Sequence, residues 1–448
     1  MLSGDVGSRP ISAKSLSISS QRSFYGLFIG AVITVVYALL WLFERPTDAP
    51  LIGYIGLILG VEAVQFMSWS LVLVTVLPFQ ETAFDGLDRQ AIWHRRTALI
   101  GIVLAVLHNS LTWSGGSRSS LGSTLGSIGL YGLLALILWA LISPTSRFAR
   151  WRGPLGWLAR IPYDSWRSAH RLTGVFVILA MAHGFFSNPP ELRQSPLLNV
   201  AYLLICGVGV AAFLYRELLM RFFVPRSDYS VGAVQRPDAR TLLVDLEPSG
   251  EPISFTPGQF VYVNFGSDGW HPHPFTVASG SSARRLQLAI RASGGDTRRL
   301  YDALRPGTQA VVAGPHGRFD YRRGGARQVW IAAGIGVTPF MSWIRSLDGS
   351  FDREVDFFYA VPNELEVPFL KEIQEVAKQQ PSLRLHLVLS EREGHLTPKE
   401  VAKVAQVPLD EAWVYMCGPA QMMRSFERRF RQLGVPRSRI FWEHFELR

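Results

Sequence analysis

Two cysteines, Cys206 and Cys417, are all that the 448 residues contain. That excludes a disulfide framework and a cysteine-ligated iron–sulfur cluster, which takes four thiolates. N-glycosylation acceptors are missing as well: Asn188 is followed by proline, and no other asparagine has Ser or Thr two places on. Charge is scarce in only one half of the chain. Residues 1–225 carry 17 Lys/Arg and 10 Asp/Glu among almost uninterrupted apolar runs, whereas residues 226–448 carry 28 and 25. The isoelectric point near 9.8 therefore owes most to the apolar half and reflects membrane topology, not nucleic-acid binding.

The apolar half reads as a tail followed by six bilayer spans. Residues 1–22 are Ser-rich and weakly basic; a short cytosolic tail accounts for them better than an organelle-targeting peptide. The spans fall at about 24–43, 51–78, 91–113, 125–143, 166–187 and 197–220. Basic residues gather before the third span (Arg89, Arg95, Arg96) and between the fourth and fifth (Arg147, Arg150, Arg152, Arg160, Arg167). The opposite loops hold Arg45, Arg118 and Arg193. The positive-inside rule then puts both termini and the whole second half in the cytoplasm.

Two spans carry paired histidines. His94 and His108 are 14 residues apart, and His170 and His183 are 13 apart, which is roughly 20 Å along a helix. Both spans run outward, so His94 faces His170 at the inner level and His108 faces His183 at the outer level. Two imidazoles converging from separate helices can ligate one haem iron from both sides, and four can hold two stacked haems. An intramembrane histidine can also be a plain interhelical hydrogen-bond donor, but four at matched depths are poorly explained that way. Zinc or copper would take ligands close together. The spacing of 14 returns the second ring to within about 40° of the first, whereas 13 leaves it about 140° away. The 166–187 helix is therefore expected to be bent, rewound or tilted, or else its rings reach by different rotamers.

Other polar residues of this half have two readings each. Arg95, Arg96 and Arg171 adjoin the inner histidines and suit haem propionates, though arginines at cytoplasmic helix ends are expected from topology alone. Glu62, inside the second span, is either a proton relay or a simple interhelical hydrogen-bonding group. The loop 144–165, with Trp151 and Trp157, reads as an interfacial segment and a docking surface for the second half.

From Tyr229 the period shortens to β-like runs such as TLLVDLE, QFVYVNF and RLQLAIRA, which predict an antiparallel barrel to about residue 320. Strand and helix patterns then alternate from QVWIAA to QMMRSFERRFRQL, which predicts a parallel sheet covered by helices. Three stretches carry chemistry. His273-Pro274-Phe275-Thr276 ends a strand with an aromatic and a hydroxyl able to lie along a flat conjugated ring. Arg291 followed by Gly294, Gly295 and Thr297 at a helix start suits a pyrophosphate. Gly334, Gly336, Thr338 and Pro339 follow the first strand of the alternating array, where glycines admit a diphosphate and Pro339 opens a helix.

In this order, with Gly314-Pro315-His316-Gly317 and with Cys417-Gly418-Pro419 ending the last strand, these motifs resemble the ferredoxin–NADP reductase family. The six-span region with its spaced histidines is similar to the ferric reductase transmembrane domain. The combination resembles the NADPH oxidases and ferric-chelate reductases, nearly from end to end. The resemblance implies a six-helix transmembrane haem bundle (residues 23–225), an antiparallel β-barrel FAD domain (226–324) and an α/β parallel-sheet nucleotide-binding domain (325–448). It implies two b-type haems on His94/His170 and His108/His183, with FAD and NADPH as the other cofactors. Phe275 and Thr276 would meet the isoalloxazine, and Arg291 and Thr297 the FAD diphosphate. Gly334 to Pro339 would hold the nicotinamide nucleotide, with Cys417 and Gly418 beside its ring. An aromatic near the C-terminus often closes the flavin site in such proteins; Phe445 is the first candidate and Trp442 the second. Pro362 and Asn363 stand where many relatives carry a basic residue. Neither an EF-hand loop nor a proline-rich docking tail occurs, so the calcium and adaptor regulation of animal members finds no support.

The expected reaction is electron transfer from cytosolic NADPH to an acceptor outside a bacterial plasma membrane. Dioxygen, giving superoxide, and a ferric chelate both remain as acceptors. The outer loops 114–124 and 188–196 are short and hold no carboxylate cluster for iron, which favours oxygen. A haem-sensing channel or transporter would use Glu62 but leaves the second half without a role. Ser390 and Arg392, after the strand RLHLVLS, offer donors and positive charge for the 2′-phosphate of NADPH. Strand alternation would turn Glu391 to the other face. The other reading of these residues is a solvated charged turn.

Overall fold

The computed structural model describes residues 25–47, 49–112, 120–142, 163–187, 189–266, 272–349 and 351–443. The chain divides at Arg226/Ser227 into a helical unit and a mixed α/β unit. The helical unit holds α1 (Tyr25–Phe43), α2 (Leu51–Leu73), α3 (Pro78–Ala83), α4 (Leu87–Thr112), α5 (Ser120–Ile142), α6 (Tyr163–His170), α7 (Leu172–Ser187), α8 (Pro190–Gln194), α9 (Pro196–Leu214) and α10 (Met220–Phe223). One π-helical turn, Tyr215–Leu219, joins the last two. Helix α2 packs along α4, and α5 along α7; α9 closes against α2. The apolar pattern faces outward as well as inward. Of the large apolar residues exposed among the described ones, all but Val311, Leu365 and Val404 lie in this unit, as a helical surface bathed in hydrocarbon requires.

Five of these segments are long and apolar enough to cross a bilayer: Tyr25–Phe43, Leu51–Leu73, Leu121–Ala140, Ser168–Ser187 and Pro196–Leu219. The expected sixth, α4, is 26 residues long but does not qualify. Asp88, Arg89, Arg95 and Arg96 lie among its first ten residues, so its apolar stretch starts at Thr97 and falls short of about 20 residues. The second span stops at Leu73, not at 78. There Gln80 Nε2 donates to Val72 O (3.0 Å) and Gln90 Nε2 to Leu73 O (2.7 Å), which satisfies carbonyls at the helix end. The expected 166–187 helix is broken at Arg171. Bonds from Arg171 N–H to Ser168 O and from Gly174 N–H to Arg171 O, both 3.3 Å, tighten the chain to three-residue spacing between the two histidines. Local rewinding is one of the alternatives that the 13-residue spacing left open. Most of the loop 144–165, and with it Trp151 and Trp157, lies outside the described residues.

The second unit begins with β1 (Arg226–Gln235), β2 (Thr241–Pro248), β3 (Phe260–Phe265), β4 (His273–Thr276), β5 (Leu286–Arg291), α11 (Gly295–Ala303) and β6 (Gln309–His316). The sheet order is β4-β3-β6-β1-β2-β5. A bridge between Val277, just past β4, and Leu288 of β5 draws the two edges together, so the antiparallel sheet nearly closes into a barrel. Val244, Leu246, Val261, Val263 and Leu288 point into it and are buried.

Then come β7 (Arg327–Ala333), α12 (Thr338–Ile344), β8 (Glu354–Val361), α13 (Leu370–Gln379), β9 (Leu383–Leu389), α14 (Ser390–Glu393), α15 (Pro398–Val404), β10 (Trp413–Cys417), α16 (Ala420–Gln432) and β11 (Ile440–Glu443). All the strands pair in parallel in the order β11-β10-β7-β8-β9. Strand β11 has no counterpart in the alternation legible from the sequence, because four residues are too few to show a period. Strand β7 feeds both layers. Trp330 and Ala332 join a core with Phe340, Trp343, Phe357 and Tyr415, while Val329 and Ile331 join one with Phe358, Met416, Met423 and Phe430 on the other face.

Helix α12 fastens this sheet to the barrel. Ser342 Oγ donates to Ser279 O (2.7 Å) and Trp343 Nε1 to Pro257 O (3.1 Å). The Arg345 guanidinium makes two bonds to Glu372 (2.6 and 2.7 Å) and one to Gln287 Oε1 (2.8 Å). Fixed in this way, the strand ends of the two domains keep one relation to each other.

Candidate haem, flavin and nucleotide sites

In the helical unit the histidines pair as the spacing predicts. Ring centres lie 6.3 Å apart for His94 and His170 and 6.1 Å apart for His108 and His183. A metal–imidazole bond of about 2.0 Å on each side, with roughly 1.1 Å more to each ring centre, would put two trans ligands about 6.2 Å apart. The tautomers also suit ligation. His108 Nδ1 lies 2.7 Å from Gly56 O, and His183 Nδ1 lies 2.7 Å from Gly122 O. A carbonyl only accepts, so each Nδ1 carries the hydrogen and Nε2 keeps the lone pair. His94 Nδ1 likewise donates to Ser70 O (3.0 Å), with Ser70 Oγ 2.8 Å from the same nitrogen. His170 stacks on Trp166, ring centres 4.9 Å apart.

Glycines make room for the outer rings. A Cβ on Gly60 would stand 2.6 Å from His108 Nδ1, and one on Gly126 would stand 2.8 Å from His183 Nδ1. A cavity of about 380 Å³, lined by both rings together with Val64, Met67 and Leu133, opens between them. Ring spacing, tautomers and cavity fit a haem held by two histidines. No group of three or more metal-ligating side chains occurs among the described residues, so paired ligands are the arrangement present. Two of the three inner arginines are otherwise engaged. Arg171 bonds Glu217, with Nε at 2.6 Å, and the Arg96 guanidinium lies over the Trp93 ring. A propionate role for Arg171 would have to displace Glu217.

In the second unit, β4 brings His273, Phe275 and Thr276 to the barrel edge, and His273 Nε2 lies 3.6 Å from Asp296 at the start of α11. The Thr276 Oγ1 is buried and has no hydrogen-bond partner, which costs about 1–3 kcal/mol unless a bound group supplies one. That orphaned hydroxyl, on the strand end expected to meet a flavin ring, fits such a ligand. Thr297, expected to meet the FAD diphosphate, stands in the first turn of α11. Its Oγ1 accepts from Ser293 N–H (3.1 Å) and Gly294 N–H (3.0 Å) and caps the helix. Gly294 and Gly295 then shape the loop, and Arg291 is left as its cation. Arg291 also reaches the nucleotide loop: a Cβ on Gly334 would lie 3.3 Å from Arg291 Nη1.

The sheet order reverses between β7 and β10, the switch point at which such sheets bind nucleotides. Gly334 adopts a positive φ of 55°. Gly336 presses on the end of β10 so closely that a Cβ there would lie 2.2 Å from Cys417 O and 2.9 Å from Gly418 N. Thr338 Oγ1 donates to Ile335 O within the same turn; Thr338 opens α12, with Pro339 second and not first as expected, and Pro419 immediately precedes α16. Burial, and then the Glu443 carboxylate, push the Cys417 thiol well above its usual range, so it is a neutral wall of the site. Glu443 lies beside Cys417 and Gly317, and no sequence motif marks it. In register with Cys417, its carboxylate would stand 3.1 Å from a Cβ on Gly317; the only signal was a charge ending the apolar run IFW.

Phe445 lies outside the described residues. Its competitor Trp442 turns away, its Nε1 donating to Glu427 Oε2 on α16 (2.9 Å). Ser390 and Arg392 follow β9 as expected, but in a helical turn, so strand alternation does not separate them from Glu391. Arg392 bonds Glu393 (2.6 Å) and remains 68 % exposed. Asn363 donates to both Glu391 oxygens (3.1 and 3.2 Å).

Residues 230–328 match the FAD-binding domain family and residues 330–428 the oxidoreductase NAD-binding domain family. A flavohemoprotein of Deinococcus radiodurans is 25% identical over 220 residues, 45% of this chain and 54% of that protein. The heavy chain of a superoxide-generating NADPH oxidase of Dictyostelium discoideum is 27% identical over 256 residues, 51% of this chain and 33% of that protein. The FAD/NAD-binding domain of a nitric oxide dioxygenase from Vibrio cholerae superposes with a TM-score of 0.44 at 21% identity, covering 48% of this chain and 97% of that one. The chain thus spans about half the length, or less, of these curated relatives. It resembles the NADPH oxidases, and in residues 230–428 it carries the two-domain FAD- and NAD-binding module of the flavin-dependent oxidoreductases.

Proposed function

We propose that this protein is a transmembrane electron-transfer enzyme that oxidises cytoplasmic NADPH and reduces an acceptor on the opposite side of the membrane, dioxygen giving superoxide. The observation that carries this reading is the pair of histidine couples at metal-ligating separation in the same chain as a flavin–nucleotide module. Bound here, FAD would supply the conversion from two-electron to one-electron chemistry, and two b-type haems would supply one-electron carriers across the apolar layer.

The chain's own residues position these groups. Backbone carbonyls of Gly56 and Gly122 set the tautomers of His108 and His183, and Ser70 does so for His94. The buried Thr276 hydroxyl offers one hydrogen bond to a flavin edge. Arg291 supplies charge for a diphosphate, and Gly336 keeps the nucleotide turn close on Cys417 and Gly418. The neutral thiol of Cys417 makes an uncharged surface for a nicotinamide ring. With arginines gathered on one side, both termini lie in the cytoplasm of a bacterial inner membrane.

Oxygen is favoured as acceptor because SGGSRSSLGST contains no carboxylate and 188–196 contains only Glu191. The purified protein should give the spectrum of a low-spin six-coordinate haem at two per chain, and NADPH should drive cytochrome c reduction that superoxide dismutase abolishes. Dismutase-resistant reduction with rapid reduction of a ferric chelate would make it a metal reductase. A protein that binds no haem would remove the electron-transfer reading.

A further inference from the structure

Glu62 lies on the face of α2 turned away from the histidines, and it is only 7 % exposed within apolar helices. Neither carboxyl oxygen has a hydrogen-bond partner, and one turn along α2 Gln65 Oε1 also lacks one. Gln65 Nε2 donates to Thr34 Oγ1 of α1 (2.7 Å). Because α1 and α2 run antiparallel, that contact sets Glu62 opposite Tyr37, one turn further along both helices. Tyr37 lies within electrostatic range of both Glu62 and Cys206. The titratable groups facing this seam are thus Tyr37 on α1 and Tyr202 and Cys206 on α9. Helix α4 presents His94 and His108, and α7 His183, to the other side of α2.

Depth is the second observation. On α2, Glu62 stands six residues from Gly56, the partner of His108, and eight from Ser70, the partner of His94. That is about 9 and 12 Å of helix rise, so the carboxyl lies at a level between the two histidine couples. An unpaired carboxyl deep in a bilayer is costly and survives where its proton has a task. An interhelical hydrogen bond, the plainer role, is not made.

We propose that Glu62 is a proton-exchange site of the helical unit, ionised while the haems that the histidine couples would hold are oxidised, binding a proton when one of them is reduced and releasing it when it is reoxidised. This rests on the function proposed above, whose NADPH supplies the electron. An electron entering a medium of low dielectric leaves a net negative charge there, and a proton bound at the same depth offsets it. Each electron entering is matched by one proton, drawn from water at the membrane surface, that forms one O–H bond on the ionised Glu62 carboxylate; as the electron passes on, that bond breaks and the proton returns to water. Gln65, Thr34 and Tyr37 supply the polar groups beside it.

The test is a spectroscopic redox titration of the full-length haem-loaded protein from about pH 6 to pH 9. Midpoint potentials of the wild type should fall as pH rises, because reduction takes up a proton. In Glu62→Gln, with haem content unchanged, most of that slope should vanish, and Glu62→Asp should retain part of it. A wild-type slope in the Gln variant, or a wild-type protein with no slope, overturns the proposal while the electron-transfer reading stands. A wild type without haem overturns both. Should Glu62→Gln fail to fold, the reduced-minus-oxidised infrared spectrum of the wild type decides. A carboxylic C=O band that shifts in D2O and moves again in Glu62→Asp supports the proposal, and no such band overturns it.

Discussion

At the scale of single residues, the site depends on small groups as much as on ligands. His108→Ala or His183→Ala should remove one of the two proposed haems, measured as haem per chain, while FAD content stays at one, because each iron would take both rings. Gly60→Ala should act on the same haem more weakly, since its Cβ would stand 2.6 Å from His108 Nδ1 and the ring must shift. Two haems per chain in His108→Ala would disprove the pairing. The proposed choice of NADPH also rests on single residues. Arg392 is exposed beside Glu393, and Arg392→Ala should raise KM for NADPH about tenfold, roughly 1.4 kcal/mol, while leaving NADH nearly unchanged. Equal losses with both nucleotides would assign Arg392 to the fold. The histidines were legible in the sequence because a ligand type at a helical spacing is itself the signal. Glu443 was not, since its importance comes from pairing with β10, which no local pattern reveals.

At the scale of elements, the outer strands of the parallel sheet are tied by a buried charge. Burial would raise the Asp356 carboxyl, but hydrogen bonds from His386 and Arg384 and from the Val407 N–H outweigh it and hold the group well below the usual carboxylate range. His386 Nε2 lies 2.8 Å away, Arg384 Nε 3.0 Å and Val407 N 2.9 Å. Such a depressed carboxyl contributes stability that is fully present above its unfolded pKa of about 3.9 and is lost as pH falls below that towards the folded value. Asp356→Ala should therefore destabilise residues 226–448 at neutral pH by about 3 kcal/mol, read as a lowered urea midpoint. The gap between variant and wild type should narrow only below about pH 4. A gap that already closes at pH 6 would contradict this account. The break at Arg171 belongs to the same scale. The sequence left a bend, a rewinding, a tilt or different rotamers open between His170 and His183; the structure has the break at Arg171, where the Ser168 and Arg171 carbonyls accept three-residue bonds and Arg171 pairs with Glu217.

At the scale of the whole molecule, the division at residue 226 separates two kinds of surface, one apolar outward and one polar outward. Residues 226–448 expressed alone should be soluble, bind FAD at micromolar concentration and oxidise NADPH slowly with a dye acceptor, since both nucleotide-binding domains lie within them. Failure to bind FAD would assign part of that site to the helical unit. The sequence alone determined what repeats or travels locally: apolar span length, histidine spacing, strand and helix alternation, and the glycine motifs. These follow from backbone periodicity and the few conformations open to glycine and proline. Only the tertiary structure decided how the unaided pattern resolves. It ended α2 at Leu73 through two glutamines from distant turns, set Thr297 to cap the start of α11, and placed Ser390 and Arg392 in a helical turn. It turned Trp442 towards Glu427 and left Glu62 between two levels of histidines with no partner. Each of these outcomes depends on which groups far apart in the chain can satisfy one another's hydrogen bonds and charges, and that is a property of the packed molecule.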